Sequence, residues 1–276
     1  MTRSPLYGKR DVMFLVVPAL TFSLMYFLYP LTMTFYASLS NFNEFIHFSA
    51  TPLVASYIIH NLYITSVAVV LEFFFGLALA LIAAEKFRGS SFFLVLIVLP
   101  WTIPDLLLAK TWRWLLLPRY GLYSQVLGPI LLDPNEFTGA VWGIILADFW
   151  KCSSFIALIL YGGLLGIPED IVNAAKLDGA GGWALFRWIK LPLLKPAITV
   201  AILFRIMQLM SIFATVYFLT WGGPGNSTQV LSTAAYNYFF KFLDPLKGYF
   251  VALINVVIGL ILSIVFIIKI RGYLMR

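Results

Sequence analysis

The sequence predicts an all-α integral membrane protein that crosses the bilayer six times. Apolar residues make up 61% of its 276 residues, charged residues only 11%, and the mean hydropathy is +0.92. A soluble domain usually carries about 25% charged residues, and a helix needs roughly 20 apolar residues to span a membrane. We interpret residues 1–276 as one transmembrane domain. Its six predicted spans are about 12–36, 59–84, 92–116, 139–163, 196–220 and 249–270.

The positions of lysine and arginine predict how the chain is oriented. The N-terminus, segment 85–91, segment 164–195 and the C-terminus together hold 12 of the 19 basic residues. Loops rich in these residues stay on the cytoplasmic side of a membrane. We therefore expect both termini and segment 164–195 in the cytoplasm, in a multi-pass protein of the inner (cytoplasmic) membrane. The first run is too long for a signal-peptide core, so we interpret it as a span.

Several classes of function are excluded by features that the sequence lacks. Its single cysteine, Cys152, rules out an intramolecular disulfide and a cysteine metal cluster. The basic residues sit at the ends of apolar runs, which argues against a nucleic-acid partner and favours contact with membrane lipid. The chain has no phosphate-cradling G-x-x-x-x-G-K-[ST] motif. We expect no catalytic residue, no metal site and no cofactor on this chain, so that any ATP must be bound by another polypeptide.

The loop between the predicted fourth and fifth spans, residues 164–195, has an ordered pattern. Pro168 is followed by two acidic residues, which is typical of a helix start. Ala174 and Ala175 leave one side of this helix smooth, and Gly179 can adopt the left-handed conformation that ends a helix. A second helical stretch is predicted beyond it, ending at Pro192.

This loop resembles the E-A-A…D-G-A…I-x-L-P loop of permease subunits of binding-protein-dependent ABC importers. The family usually has Glu at the position of Asn173, so an ion pair attributed to that Glu is not expected here. The resemblance implies that the loop couples the chain to an ATPase. The residues at matching spacing are Ala174, Ala175, Asp178, Gly179, Ala180, Ile189, Leu191 and Pro192.

A second stretch resembles one group within that family. Residues 219–228 read L-T-W-G-G-P-G-N-S-T, similar to the L-T-x-G-G-P-x-x-x-T stretch of the maltose, glycerol-3-phosphate and trehalose permease group. Asn61 and Thr65 at the head of span two also fit this group. The resemblance implies four kinds of partner besides the sugar. They are a second homologous permease, two cytoplasmic ATPase subunits that hold ATP and Mg, an extracytoplasmic solute-binding protein and membrane lipid.

Polar and aromatic residues inside the spans are candidates for a substrate path, because burying polar groups in lipid is costly. Asp148 and Lys151 lie three apart on one helix, and we predict a structural ion pair between them. Arg205 is predicted to share a helix face with Gln208, where it either lines a translocation path or only pairs with a carboxylate of the partner subunit. Glu72, alone in span two, is interpreted as an inter-helix contact. The possible path residues are Trp150, Arg205, Gln208, Trp221 and Asn255.

The predicted function is therefore that of a permease subunit of an ABC importer. We expect it to move a di- or oligosaccharide inward by ATP-driven alternating access. Glycerol-3-phosphate or a polyol phosphate is the alternative cargo. A secondary transporter driven by an ion gradient is the alternative class, and it would require an inverted repeat and an acidic relay.

Overall fold

The computed structural model describes residues 9–85, 87–118, 120–127 and 135–274, and all regular structure within them is helical. A 3-10 turn, Leu99–Thr102, follows α4, and a π-turn, Phe186–Lys190, joins α9 to α10. Arg3, Lys86 and Arg276 lie outside the described residues, and the orientation of the chain stays a prediction. In chain order the α-helices are α1 Lys9–Ser40, α2 Phe42–Ser49, α3 Pro52–Ala84, α4 Ser90–Val98, α5 Asp105–Leu116, α6 Leu122–Leu127, α7 Phe137–Leu165, α8 Glu169–Leu177, α9 Gly182–Leu185, α10 Leu191–Met210, α11 Ala214–Leu219, α12 Leu231–Phe240 and α13 Pro245–Leu274.

Five of the predicted spans are present as long apolar helices in the described part of the chain, and the sixth is a bent pair. The bent pair, Ser90–Thr102 and Asp105–Leu116, replaces the predicted third span. We name the end of the bundle that carries residues 166–190 the loop end, and the opposite end, which carries residues 221–230, the far end. The five long segments are Val16–Ser40, Pro52–Ala84, Thr138–Leu165, Gly182–Met210 and Pro245–Lys269.

The prediction of an unbroken third span over 92–116 is wrong, because the chain bends by 91° between its two halves. Pro100 and Pro104 cause the break: neither has an amide hydrogen to donate, and a proline disfavours helical geometry in the residue before it. Ile103, just before Pro104, accordingly has an extended ψ of 128°. Broken backbone at membrane depth is tolerated where it lies against protein or a water-filled cavity.

The predicted fifth span, 196–220, differs from the structure at both ends. Helix α10 ends at Met210, and α11 begins only at Ala214. At the other end Pro192 does not stop the preceding helix. It is the second residue of α10, directly beyond the π-turn, and the helical segment continues through it. Gly182–Met210 therefore forms one segment of 29 residues.

Two packed helices at the far end were not predicted from the sequence. α2 packs on α13 through aromatic contacts of Phe45 and Phe48 with Phe250. α12 lies against α13 and α3. Asp244 starts α13 by accepting hydrogen bonds from the amide and the ammonium of Lys247, and those donors lower the pKa of Asp244. Both helices are too short for a span, so hydropathy alone does not reveal them.

The bundle is held together at places where helices approach closely. α3 and α7 make the most extensive helix contact, and Gly76 permits it. A Cβ on Gly76 would lie 2.8 Å from Ile156 Cγ2 and 2.9 Å from the Ser153 carbonyl oxygen. Small residues at helix interfaces are the usual basis of packing in membranes. α1, by contrast, packs mainly against α13, and most of its large side chains are exposed.

We expect Gly163→Ala to destabilise the bundle and the neighbouring change Gly162→Ala to leave it intact. A Cβ on Gly163 would lie 2.7 Å from the Ala197 Cβ, whereas a Cβ on Gly162 would meet no atom within 4 Å. Forcing α7 from α10 should cost about 1–3 kcal/mol, while alanine at Gly162 should gain up to about 1 kcal/mol from helix propensity. Thermal unfolding in detergent measures both, and equal midpoints would contradict the packing described.

Candidate functional site

A buried cluster of charges joins three spans near the middle of the bundle. The Nε and Nη2 atoms of Arg205 on α10 donate to the two carboxylate oxygens of Glu72 on α3, at 2.6 and 2.9 Å. Nη2 also donates to Asp148 Oδ2 on α7 at 2.5 Å, and Nη1 donates to Gln208 Oε1 at 2.5 Å. Only 2% of the Arg205 side chain and none of Glu72 is exposed. A planar guanidinium offers several donors in a fixed fork, which suits it to hold two carboxylates.

The predicted ion pair between Asp148 and Lys151 is wrong. Lys151 instead donates to Asp105 at the start of α5, and Asp148 is held by Arg205. The break before α5 brings Asp105 into reach of α7, and the Arg205 fork meets Asp148 from the neighbouring helix. Glu72 is an inter-helix contact, as expected, and its partner is Arg205. The alternative that Arg205 pairs with a carboxylate of another subunit is not needed, because two carboxylates of this chain surround it.

A cavity of about 560 Å³ lies beside this cluster. It opens where the third span bends and where α10 gives way to α11, so both broken spans contribute to its wall. Its charged lining residues are Asp105, Asp148, Lys151 and Arg205. The remaining described lining residues are Trp101, Cys152, Gln208, Leu209, Ser211, Ile212, Phe213, Ala214 and Thr215.

Only part of the predicted substrate path faces this cavity. Arg205 and Gln208 line it, and their place on a substrate path stays a prediction. Trp150, Trp221 and Asn255 are not among its described lining residues; Trp150 and Trp221 are exposed elsewhere on the surface. Sequence reasoning missed the polar lining at Ser211 and Thr215. Pro100 and Pro104 are the signal that could have located the third-span half of the cavity.

The glycine-rich stretch 219–228 forms a pinned turn at the far end. Four residues of this stretch have a positive φ, namely Trp221 (58°), Gly222, Gly225 and Asn226. The Thr228 hydroxyl donates to the Gly223 carbonyl at 2.9 Å and shares a 2.8 Å hydrogen bond with Thr220. These contacts fix the turn beside α11.

Asn61, on α3, connects the two helices that flank α11 and its turn. Its Nδ2 donates to the Leu209 carbonyl at 3.3 Å, and its Oδ1 accepts from the Leu231 amide at 3.2 Å. Asn61 is fully buried, and its side chain satisfies the Leu231 amide, which has no partner within α12 because it lies in the first turn. Asn61 thus ties α3 to the end of α10 and to the start of α12.

The loop end carries the segment that the sequence singled out. α8, Glu169–Leu177, ends in a complete Schellman motif: the Gly179 amide donates to the Lys176 carbonyl at 3.1 Å, and the Ala180 amide to the Ala175 carbonyl at 2.9 Å. Gly179 has a φ of 84°, the left-handed conformation expected for it. Asp178 is the C-cap residue and donates its amide to the Ala174 carbonyl at 3.0 Å.

The rest of the motif anchors α8 to the bundle. Ile189 lies in the π-turn, while Leu191 and Pro192 begin α10. Asn173 and Lys190 line a cavity of about 610 Å³ beneath α8. Lys190 Nζ lies 3.5 Å from Glu85 Oε1 at the end of α3. The loop is therefore connected to both α3 and α10, the two helices joined by Glu72 and Arg205.

The fold, the loop and the broken spans define a membrane permease. The chain belongs to the family of binding-protein-dependent transport system inner membrane components, which it matches over residues 74–271. It is therefore a multi-pass permease of a binding-protein-dependent ABC importer in the inner membrane, and the resemblance found in the sequence is confirmed.

Three similar proteins are named as transport system permease proteins. The chain is 33% identical over 241 residues to the trehalose/maltose transport system permease protein MalF of Thermococcus litoralis, with 82% of each chain covered. It is 33% identical over 217 residues to the sulfoquinovosyl glycerol transport system permease protein SmoG of Agrobacterium fabrum, covering 75% of this chain and 69% of that protein. It is also 33% identical over 181 residues to the trehalose transport system permease protein SugA of Mycobacterium tuberculosis, covering 66% of this chain and 58% of the relative.

Solved structures show the same fold. One chain of a bacterial ABC transporter that imports the acidic polysaccharide alginate superposes with a TM-score of 0.82 at 19% identity, with 96% of both chains covered. A second structure of an alginate ABC transporter, in complex with a periplasmic protein that holds an alginate pentasaccharide, gives a TM-score of 0.84 at 20% identity. The likeness establishes the ABC importer permease architecture.

We expect Arg205→Met to destabilise the protein far more than Lys151→Met. Removing Arg205 leaves two carboxylates without their cation in the membrane interior, which costs about 3–5 kcal/mol. Lys151 is only 11% exposed, but the side chain of its partner Asp105 is 59% exposed, so that carboxylate can be hydrated and the loss should be about 1 kcal/mol or less. The loss of stability is measured as the fall in the thermal unfolding midpoint of each purified variant relative to the wild type. Equal destabilisation would show that the Arg205 cluster does not hold the bundle.

Proposed function

We propose that this chain is one half of the permease of an ABC importer that carries a neutral di- or oligosaccharide inward. The observation that carries the proposal is the polar cavity at the two broken spans, in a chain of this permease family. Relatives named for trehalose, maltose and sulfoquinovosyl glycerol support a glycosidic cargo. Gln208, Ser211 and Thr215 provide uncharged polar groups for sugar hydroxyls.

The charges around the cavity favour a neutral cargo over a phosphate ester. Arg205 already holds Glu72 and Asp148, and Lys151 holds Asp105. Three carboxylates thus face two cations in this cluster. An anion entering here would have to displace a carboxylate from its cation, and electrostatic repulsion from the displaced group opposes that. Glycerol-3-phosphate or a polyol phosphate is therefore the less favoured cargo.

The proposal includes partner chains that bind the nucleotide and deliver the sugar. These are a second homologous permease, two cytoplasmic ATPase subunits with ATP and Mg, and an extracytoplasmic solute-binding protein. α8 is the segment proposed to enter an ATPase, since it projects Ile171 and Leu177 to the surface, the latter 89% exposed. The small side chains of Ala174 and Ala175 permit close approach. Such an apolar surface at the end of a polar loop is typical of a protein contact.

Movement of α8 would reach the cavity through α10. The π-turn joins the loop to α10, a helix of 20 residues and hence roughly 30 Å long. Arg205 and Gln208 lie in the last turns of that helix, and the Arg205 cluster binds it to α3 and α7. We propose that ATP binding tilts these three helices together and opens the cavity to the far end. ATP hydrolysis then returns them, which gives alternating access.

An ion-coupled secondary transporter is not supported. That class needs acidic groups free to exchange an ion, whereas Glu72, Asp148 and Asp105 each hold a basic side chain of the same chain. Membership of a binding-protein-dependent transport family argues against it as well.

We expect Gly179→Val to uncouple ATP hydrolysis from transport, with Gly181→Val as the matched control. Gly179 has a φ of 84°, which a β-branched residue adopts only with strain of roughly 1–3 kcal/mol. Gly181 has a φ of −68° and a ψ of 169° with open space around it, so valine fits there. Uptake of radiolabelled trehalose or maltose by the complete transporter in proteoliposomes should fall roughly tenfold or more for Gly179→Val, with ATP hydrolysis retained. Normal uptake in that variant would refute the coupling role.

Competition tests the cargo directly. A large excess of glycerol-3-phosphate should leave uptake of trehalose and maltose unchanged, because the cations of the cavity are already paired.

Copurification tests the partner chains. The transporter should be purified with a tag on this chain, and the copurifying ATPase, second permease and binding protein identified by mass spectrometry. Recovery of this chain alone, or inhibition by glycerol-3-phosphate, would contradict the proposal.

A further inference from the structure

A continuous row of aromatic rings leads from the cavity to the far end of the protein. Phe213, Tyr217 and Trp221 follow one another at spacings of four residues, and Tyr236 and Phe240 do the same on α12. Neighbouring ring centroids are 4.9–5.2 Å apart: Phe213 to Tyr217, Tyr217 to Trp221, Tyr217 to Tyr236 and Tyr236 to Phe240. We name these five residues the aromatic strip.

The strip begins inside the cavity and ends at the surface. Phe213 is one of the cavity-lining residues. Tyr217 and Tyr236 are half-buried, while Trp221 is 53% and Phe240 67% exposed. From residue 213 to residue 221 the strip extends roughly 12 Å along the helix direction. A girdle of interfacial aromatic residues lies at one depth in the membrane, whereas this row changes depth.

The exposed faces of the strip already attract a positive charge. The ammonium of Lys241 lies 5.1 Å from the Tyr217 ring centroid and 6.0 Å from that of Trp221. Aromatic ring faces carry negative charge density and bind cations or polarised hydrogens. The flat faces of sugar rings present C–H groups with partial positive charge, so the same ring faces suit them.

We propose that the aromatic strip is a stacking surface for the sugar rings of the cargo between the far end and the cavity. This inference rests on the proposed function, because it supplies the route by which a saccharide reaches Gln208, Ser211 and Thr215. The rings would hold successive sugar units by their faces and leave the hydroxyls free. Sequence-tolerant stacking of this kind suits passage better than a fixed set of hydrogen bonds, which would hold the cargo at one position.

Leucine substitutions in the strip should lower the amount of sugar moved per ATP. The assembled transporter with its binding protein, in proteoliposomes, is given radiolabelled trehalose or maltose, and uptake and ATP hydrolysis are measured together. Tyr217→Leu and Trp221→Leu should each lower the ratio of sugar to ATP roughly three- to tenfold, with unchanged ATP hydrolysis and complex assembly. Tyr217→Phe and Trp221→Phe keep a ring and should restore the ratio. Trp114→Leu removes a tryptophan of similar exposure, 57%, outside the strip and should have no effect.

The outcomes separate this inference from the proposed function. If the wild-type transporter moves trehalose or maltose and the leucine variants keep its ratio, the strip has no part in transport and the proposed function stands. If the leucine variants lose the second permease during purification, the strip is a subunit contact and the inference is wrong. If the wild type moves neither sugar although it hydrolyses ATP, the cargo proposal fails and the inference fails with it.

Discussion

The pairing of Arg205 with Glu72 and Asp148 is the interaction on which the arrangement of the bundle depends. In a membrane, apolar side chains gain little by leaving lipid for one another, so helix association needs close packing and polar contacts. One guanidinium here satisfies carboxylates from two other spans, and each of the three groups is costly without the others. α3, α7 and α10 consequently form one mechanical unit, and the loop end connects to that unit through the π-turn.

The cavity at the two broken spans is the part of the protein whose shape depends on the position of this rigid unit. α10 stops at Met210, and the third span bends at Pro104, so residues that flank both breaks line a shared cavity. Irregular backbone at this depth is compatible with a bilayer only because protein and cavity surround it. α11 and its turn are separately anchored, because Arg113 on α5 donates to the Leu219 carbonyl and the Thr228 hydroxyl donates to the Gly223 carbonyl. A tilt of α10 against α11 would therefore alter the cavity without unravelling its far wall.

The sequence predicted local features well and contacts between distant residues poorly. Gly179 was assigned its left-handed conformation because glycine alone adopts it without strain, and the number of spans followed from apolar length. The Asp148–Lys151 pair failed because helical spacing shows only which residues share a face, whereas Arg205, 57 positions away along the chain, competes for the carboxylate. The prediction that Pro192 ends a helix failed because the sequence gives no sign of the π-turn that precedes it, through which the helical segment continues.

The exposed position of α1 has a consequence for how such a chain changes over time. Thr34 and Ser38 are its buried residues among those whose side chains are described, and the family match begins only at residue 74. Most large side chains of α1 are exposed, so we expect substitutions along it to change the packing within the chain little wherever its apolar character is kept. Residues such as Gly76 and Arg205 lack that freedom, because each is fitted to atoms of another helix.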